Sequence, residues 1–112
     1  MTEVETETLA FGLRLRPGSE AEYRRRHDAI WPEMRAVLLD AGILHYEIHL
    51  NPSDGMLFAF IIRRRENAMD LLPQNDIFRR WQEHMADILM PTEGRLRIPL
   101  ERMFRLSAAS PG

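Results

Sequence analysis

The chain of 112 residues contains no cysteine. That absence excludes a disulfide framework, thiol catalysis and thiolate metal ligation. No apolar run approaches membrane-spanning length. The acidic N-terminus, Met1-Thr2-Glu3-Val4-Glu5, lacks a signal-peptide pattern, so the expected compartment is the cytoplasm, with no membrane partner. An excess of charge of one sign is also missing. Lys+Arg 15 against Asp+Glu 17 leaves a net charge of -2, which gives no basic field for nucleic acid. The triplets Arg24-Arg25-Arg26 and Arg63-Arg64-Arg65 therefore read as solvated faces rather than a polyanion site. There is no glycine-rich phosphate loop, no Ser-His-Asp or Gly-x-Ser-x-Gly arrangement, and no evident carboxylate pair. Phosphate-loop, acyl-transfer and glycosidase chemistry are all unsupported.

What is present is patterned throughout. The length suits a single domain over 1–112, with 1–6 and 107–112 expected to fray. Thr8 to Leu15 alternates, with Leu9, Phe11, Leu13 and Leu15 on one face of a strand. Pro17-Gly18-Ser19 is a turn. Ser19 followed by Glu22 reads as a capping box opening a helix from Glu20 to about Ala41, closed by Gly42. Pro32 lies inside that helix and predicts a kink near residues 28–32. The carbonyl it frees just after His27 either binds water or ligand or is merely tolerated. Leu44 to Leu50 alternates again, with Tyr46, Ile48 and Leu50 opposed to His45, Glu47 and His49. Asn51 to Gly55 is a turn, and Met56 to Ile62 returns as a central strand, apolar on both faces. A short helix over Glu66–Leu71 is broken by Pro73-Gln74-Asn75-Asp76. A helix from Ile77 to about Leu89 carries Ile77, Trp81, Met85 and Ile88 on one stripe. Pro91 to Pro99 is irregular, and Leu100 to Leu106 is the last strand.

The order β-α-β-β-α-β predicts an α+β, ferredoxin-like split βαβ fold: an antiparallel four-stranded sheet with helices on one face. The other face needs a cover. With Leu57, Ala59 and Ile61 assigned to it, a second copy of the sheet buries it most economically. The expectation is a homodimer forming a dimeric α/β barrel.

Four polar aromatics fall on inward stripes. Tyr23 and His27 are four residues apart and share one helix face, which continues into Ile30, Met34, Val37, Leu38 and Ala41. Tyr46 faces inward from the second strand and Trp81 from the later helix. Each alone is satisfied as a core residue whose polar end finds a partner. Together they would line a polar-aromatic pocket between helix and sheet, suited to a sugar with its apolar C–H faces and its hydroxyls. His45, Glu47 and His49 share a strand face in a pattern that resembles a metal site. Alternate positions are roughly 7 Å apart and no fourth ligand or second shell is evident, so no metal is expected.

The stretch Tyr23-Arg24-Arg25-Arg26-His27-Asp28-Ala29-Ile30-Trp31-Pro32-Glu33-Met34 resembles the signature of the L-rhamnose mutarotases. So do His45-Tyr46-Glu47-Ile48-His49-Leu50 and Arg80-Trp81-Gln82-Glu83-His84-Met85-Ala86-Asp87-Ile88. The likeness runs from about Leu9 to Leu106. It implies a ferredoxin-like dimeric barrel and an isomerase that interconverts the α and β anomers of a 6-deoxyhexopyranose, most directly L-rhamnose, with no cofactor. Carried over residue by residue, the general acid falls on His27 and the substrate-contacting tyrosines on Tyr23 and Tyr46. The first of two adjacent tryptophans falls on Trp81.

Two departures touch substrate preference. Gln82 stands where the family usually has the second tryptophan, so an amide replaces a stacking face and joins the candidate substrate contacts. Met90 to Pro99 stands where the family usually has an Asn-Pro-Asp-Asn-Ser-Pro-like stretch. The readings left open are a mutarotase for another deoxy sugar such as L-fucose, a dimeric-barrel monooxygenase or small-ligand binding module, and a dimer without chemistry. Fold alone does not choose among them.

Overall fold

The computed structural model describes residues 5–108. β1 (Thr6–Leu15) is followed by α1 (Glu20–Asp28) and α2 (Pro32–Asp40), then by the hairpin β2 (Ile43–Asn51) and β3 (Met56–Arg64). A 3-10 helix over Met69–Gln74, α3 (Asp76–Ala86) and two short strands, β4 (Leu89–Met90) and β5 (Ile98–Pro99), complete the order. The sheet runs β2-β3-β1-β4, with β5 also on β1, and every pairing is antiparallel. This is the expected ferredoxin-like α+β topology. No helix among the described residues is long and apolar enough to cross a membrane.

The helices cover one face of the sheet, and strand pairing decides which residues lie there. Leu13 opposes Leu57, Phe11 opposes Ala59 and Leu9 opposes Ile61. Directly opposed residues share a face. Leu57, Ala59 and Ile61 therefore join the core, each at 2% exposure or less, and do not form the uncovered face expected for them. β3 is apolar at both parities, so its sequence leaves the choice to its neighbours. The open face instead carries Phe58 and Phe60, opposite His49 and Glu47 of β2, and both phenylalanines are exposed.

Pro32 does more than kink a helix. It occupies the first position of a new one, with Trp31 as the cap residue in extended conformation. The Trp31 carbonyl accepts from Met34 and Arg35. Proline suits that position because its missing N–H has no helical partner there. The expected capping box is absent: Ser19 makes no side-chain cap bond, and the Glu22 carboxylate accepts from Arg25 and Arg26 instead. Arg26 is also no solvated charge. Its guanidinium donates to the His84 carbonyl at 2.6 Å and to Asp87 at 2.7 Å, fastening α1 to the end of α3. Gly42 ends α2 with φ 106, and a Cβ there would meet the Asn67 Cβ at 2.9 Å, so no other residue fits without displacement.

The last strand is the largest departure. Residues 100–108 form no regular element. β1 is instead flanked by β4, where Leu15 opposes Leu89, and by β5, where Gly12 opposes Ile98. A bond from Arg102 to the Thr8 hydroxyl keeps the following segment alongside β1. Met103, Phe104 and Leu106 project with little cover, at 87%, 75% and 86% exposure. The strand expected over Leu100 to Leu106 therefore does not form, and its apolar side chains find little cover among the described residues.

Candidate active site

Between the helices and the sheet lies a groove of about 800 Å³. A smaller niche of about 40 Å³ shares part of that lining and is bounded by Tyr23, His27, Tyr46, Trp81, Gln82 and Arg97, among others. All five residues singled out from the sequence thus converge. α1 supplies Tyr23 and His27 from one face, β2 supplies Tyr46 by its even parity, and α3 supplies Trp81 and Gln82.

The imidazole of His27 is fixed on two sides. Its Nδ1 lies 3.1 Å from the Tyr23 main-chain carbonyl, which can only accept, so Nδ1 carries the proton. Nε2 is then the lone-pair nitrogen of the neutral ring. The Tyr23 ring lies against it at 4.4 Å between centroids and 31° between planes. Trp81 meets it edge-to-face at 5.5 Å. Burial in this aromatic setting lowers the His27 pKa, opposed by the bond to the Tyr23 carbonyl and by Asp28. The ring is therefore neutral at neutral pH, and its imidazolium is a stronger acid than free histidine.

The phenols shift the other way. Desolvation raises Tyr23 well above the ordinary phenol range, with Tyr46 adding to the rise and Arg97 opposing it. Desolvation also raises Tyr46, again opposed by Arg97. The Tyr46 ring borders the open groove and is partly exposed; the shift reflects its crowded hydroxyl end. Both phenols therefore stay protonated and able to donate a hydrogen bond.

Trp81 is 5% exposed. It packs at 5.2 Å edge-to-face against Trp31 and at 5.5 Å against His84. It forms a wall behind His27 and offers little open ring surface. No group of three or more His, Asp or Glu among the described residues is arranged to hold a metal ion. In the trio considered above, Glu47 simply bridges His45 at 2.9 Å and His49 at 3.2 Å on the open sheet face.

Residues 8–106 match the family model for L-rhamnose mutarotase. The chain belongs to the L-rhamnose mutarotase family. It is 50% identical over 102 residues to an L-rhamnose mutarotase from Acidiphilium cryptum, covering 89% of this chain and 98% of that one. A crystal structure of an L-rhamnose mutarotase from Formosa agariphila superposes with a TM-score of 0.79 at 34% identity, covering 90% of this chain and 99% of the other. A structure from Nitrosomonas europaea, described as that of an antibiotic biosynthesis monooxygenase, superposes at a TM-score of 0.61 with 6% identity over 96% of this chain and 99% of the other. That last likeness is one of fold alone. The family assignment makes the protein a carbohydrate isomerase by class.

Sequence reasoning missed Arg97, which sits in a stretch read as irregular. The structure shows a miniature hairpin there: Thr92 and Arg95 exchange backbone bonds of 2.8 and 2.9 Å. Glu93 and Gly94 between them both have positive φ, 50 and 78. Two central residues at positive φ define a type I′ turn. The only sequence signal was Glu93-Gly94, weaker than the Asn-Gly or Asp-Gly pairs that usually mark such turns.

Proposed function

We propose that the protein interconverts the α and β anomers of a 6-deoxyhexopyranose, with L-rhamnose the first candidate, by cofactor-free acid–base opening of the ring. The observation that carries this reading is the fixed imidazole. Nδ1 of His27 is held by the Tyr23 carbonyl, which leaves Nε2 to exchange protons in a niche shared with Tyr23, Tyr46, Trp81 and Gln82.

Opening breaks the bond between the anomeric carbon and the ring oxygen. The electron pair goes to the ring oxygen, which needs a proton, while the anomeric hydroxyl gives one up. His27 takes up a proton at Nε2 from solvent, and the resulting imidazolium, a stronger acid than free histidine, delivers that proton to the ring oxygen. Water, or a phenol acting as a relay, takes the anomeric proton. Rotation about the adjoining carbon–carbon bond presents the other carbonyl face, and reversal of the steps closes the ring. The phenols of Tyr23 and Tyr46 donate hydrogen bonds to sugar oxygens, Gln82 offers an amide, and Trp81 provides an apolar wall. No step needs a metal or organic cofactor.

The same reading includes a homodimer in the cytoplasm. Phe58 and Phe60, at 42% and 37% exposure on the open sheet face, support a second copy as its cover.

Saturation-transfer NMR with L-rhamnose, L-fucose and D-glucose tests the function. Exchange between anomer signals is expected to accelerate most with L-rhamnose. A preference for L-fucose would keep the reaction and change the sugar. No acceleration with any sugar would overturn the reading, and oxygen consumption with an aromatic substrate would point to the monooxygenase class.

A further inference from the structure

The loop between β4 and β5 is extruded from an otherwise continuous edge. β4 pairs with β1 as Leu15 with Leu89, whereas β5 pairs as Gly12 with Ile98. The chain therefore gains six residues of slack between two anchored ends, and the type I′ turn at Glu93-Gly94 takes it up. Strand parity fixes what happens next. Ile98 opposes Gly12, an open-face position, so the residue before it turns to the helix-covered side. That residue is Arg97.

Its guanidinium lies 4.9 Å from the centroid of the Phe11 ring and 5.7 Å from that of Phe78. The two rings, one from β1 and one from α3, form a shelf that restricts the side chain. Among the described residues no hydrogen-bond or ion-pair partner for Arg97 is seen beyond these ring contacts. Its planar fork of five donors is therefore held at the niche and left free. Among the residues lining the niche, Arg97 alone carries a permanent charge.

We propose that Arg97 is a sugar-contacting, specificity-determining residue, whose shelved guanidinium donates hydrogen bonds to adjacent hydroxyl oxygens of the bound monosaccharide. This deepens the mutarotase reading and rests on it. Two vicinal hydroxyl oxygens match the spacing of two parallel N–H groups of the fork. A positive donor at one end of the niche also orients the sugar relative to His27. The residue selects sugars by the configuration of that diol.

The test is anomer exchange measured by saturation-transfer NMR against sugar concentration, for wild type and for Arg97→Ala and Arg97→Lys. The panel is L-rhamnose and its monodeoxy analogues. The expected result for Arg97→Ala is a KM for L-rhamnose raised by about tenfold to a hundredfold, the usual worth of a charge-assisted hydrogen bond, with a much smaller change in kcat. Arg97→Lys keeps the charge and loses the fork, so its KM is expected to fall between the two. At least one monodeoxy analogue is expected to be insensitive to Arg97→Ala, because the oxygen it lacks is the one contacted. An unchanged thermal midpoint separates this from a structural effect. Equal KM values in wild type and Arg97→Ala across the panel would overturn the proposal while leaving the mutarotase reading intact. Absence of exchange in wild type with every sugar would overturn both.

Discussion

The Nδ1 of His27 lies 3.1 Å from the main-chain carbonyl of Tyr23, one helical turn earlier. The helix backbone thus holds the ring itself. It selects the tautomer and leaves Nε2 as the group that changes protonation. In a folded His27→Ala protein, anomer exchange is expected to slow by about 10² to 10⁴-fold, the usual contribution of general acid–base catalysis. Saturation-transfer NMR reads this directly, and near-wild-type exchange would remove His27 from the mechanism.

The lowered pKa of His27 has a consequence for stability. In the unfolded chain the imidazole titrates near its ordinary value of 6.5, and in the folded protein it titrates lower. Between those two values the unfolded state binds more protons, so stability falls as pH drops below 6.5. Above 6.5 both states are neutral at this site and its contribution is constant. Thermal melts across this range are expected to show a smaller acid-side loss for His27→Gln than for wild type. An NMR titration of the His27 ring is expected to give a midpoint below 6.5.

Trp81 joins core and niche. At 5% exposure its truncation to alanine should cost about 3–5 kcal/mol of stability, the range for large buried aromatics. Chemical denaturation measures that. Sugar binding should also weaken, because Trp81 walls the His27 ring at 5.5 Å. Trp81→Phe is the variant in which to measure it, since more of the packing survives. Unchanged saturation behaviour in that folded variant would argue against a role for the indole in the site.

The open sheet face gives the fourth expectation. Phe60 opposes Glu47 and is flanked on its own strand by Phe58. Phe60→Glu would place two carboxylates directly across from each other on the face proposed to meet a second copy. Sedimentation velocity should find a dimer for wild type and a shift toward monomer for Phe60→Glu. A wild-type monomer at micromolar concentration would leave this face without its proposed cover.

Much of this was legible in the residues themselves. The alternation of Leu9, Phe11, Leu13 and Leu15 marks β1, and the four-residue spacing of Tyr23 and His27 puts both on the buried side of α1. Other features depend on information no local window holds. Met56 to Ile62 is apolar at both parities, so only its pairing with β1 shows that Leu57, Ala59 and Ile61 are core and Phe58 and Phe60 are open. Pro32 is compatible with a kink or a fresh start, and the extended Trp31 decides for the latter. Arg97 is invisible to periodicity because a positive-φ turn, rather than an amphipathic element, delivers it. The strand expected at 100–106 does not form, and among the described residues Met103, Phe104 and Leu106 have little to pack against.

The split edge of β1 has a consequence for how such a protein can change. Residues 91–97 are bounded on both sides by strands seated on β1, while the Tyr23–His27 pair stands on α1. The loop is therefore a cassette: its length and side chains can be exchanged without moving either anchor or the core beneath. The proposed sugar contact of Arg97 and the proposed proton transfer by His27 are carried by separate pieces of chain. Natural variation or laboratory selection can retune the first while the second stays fixed.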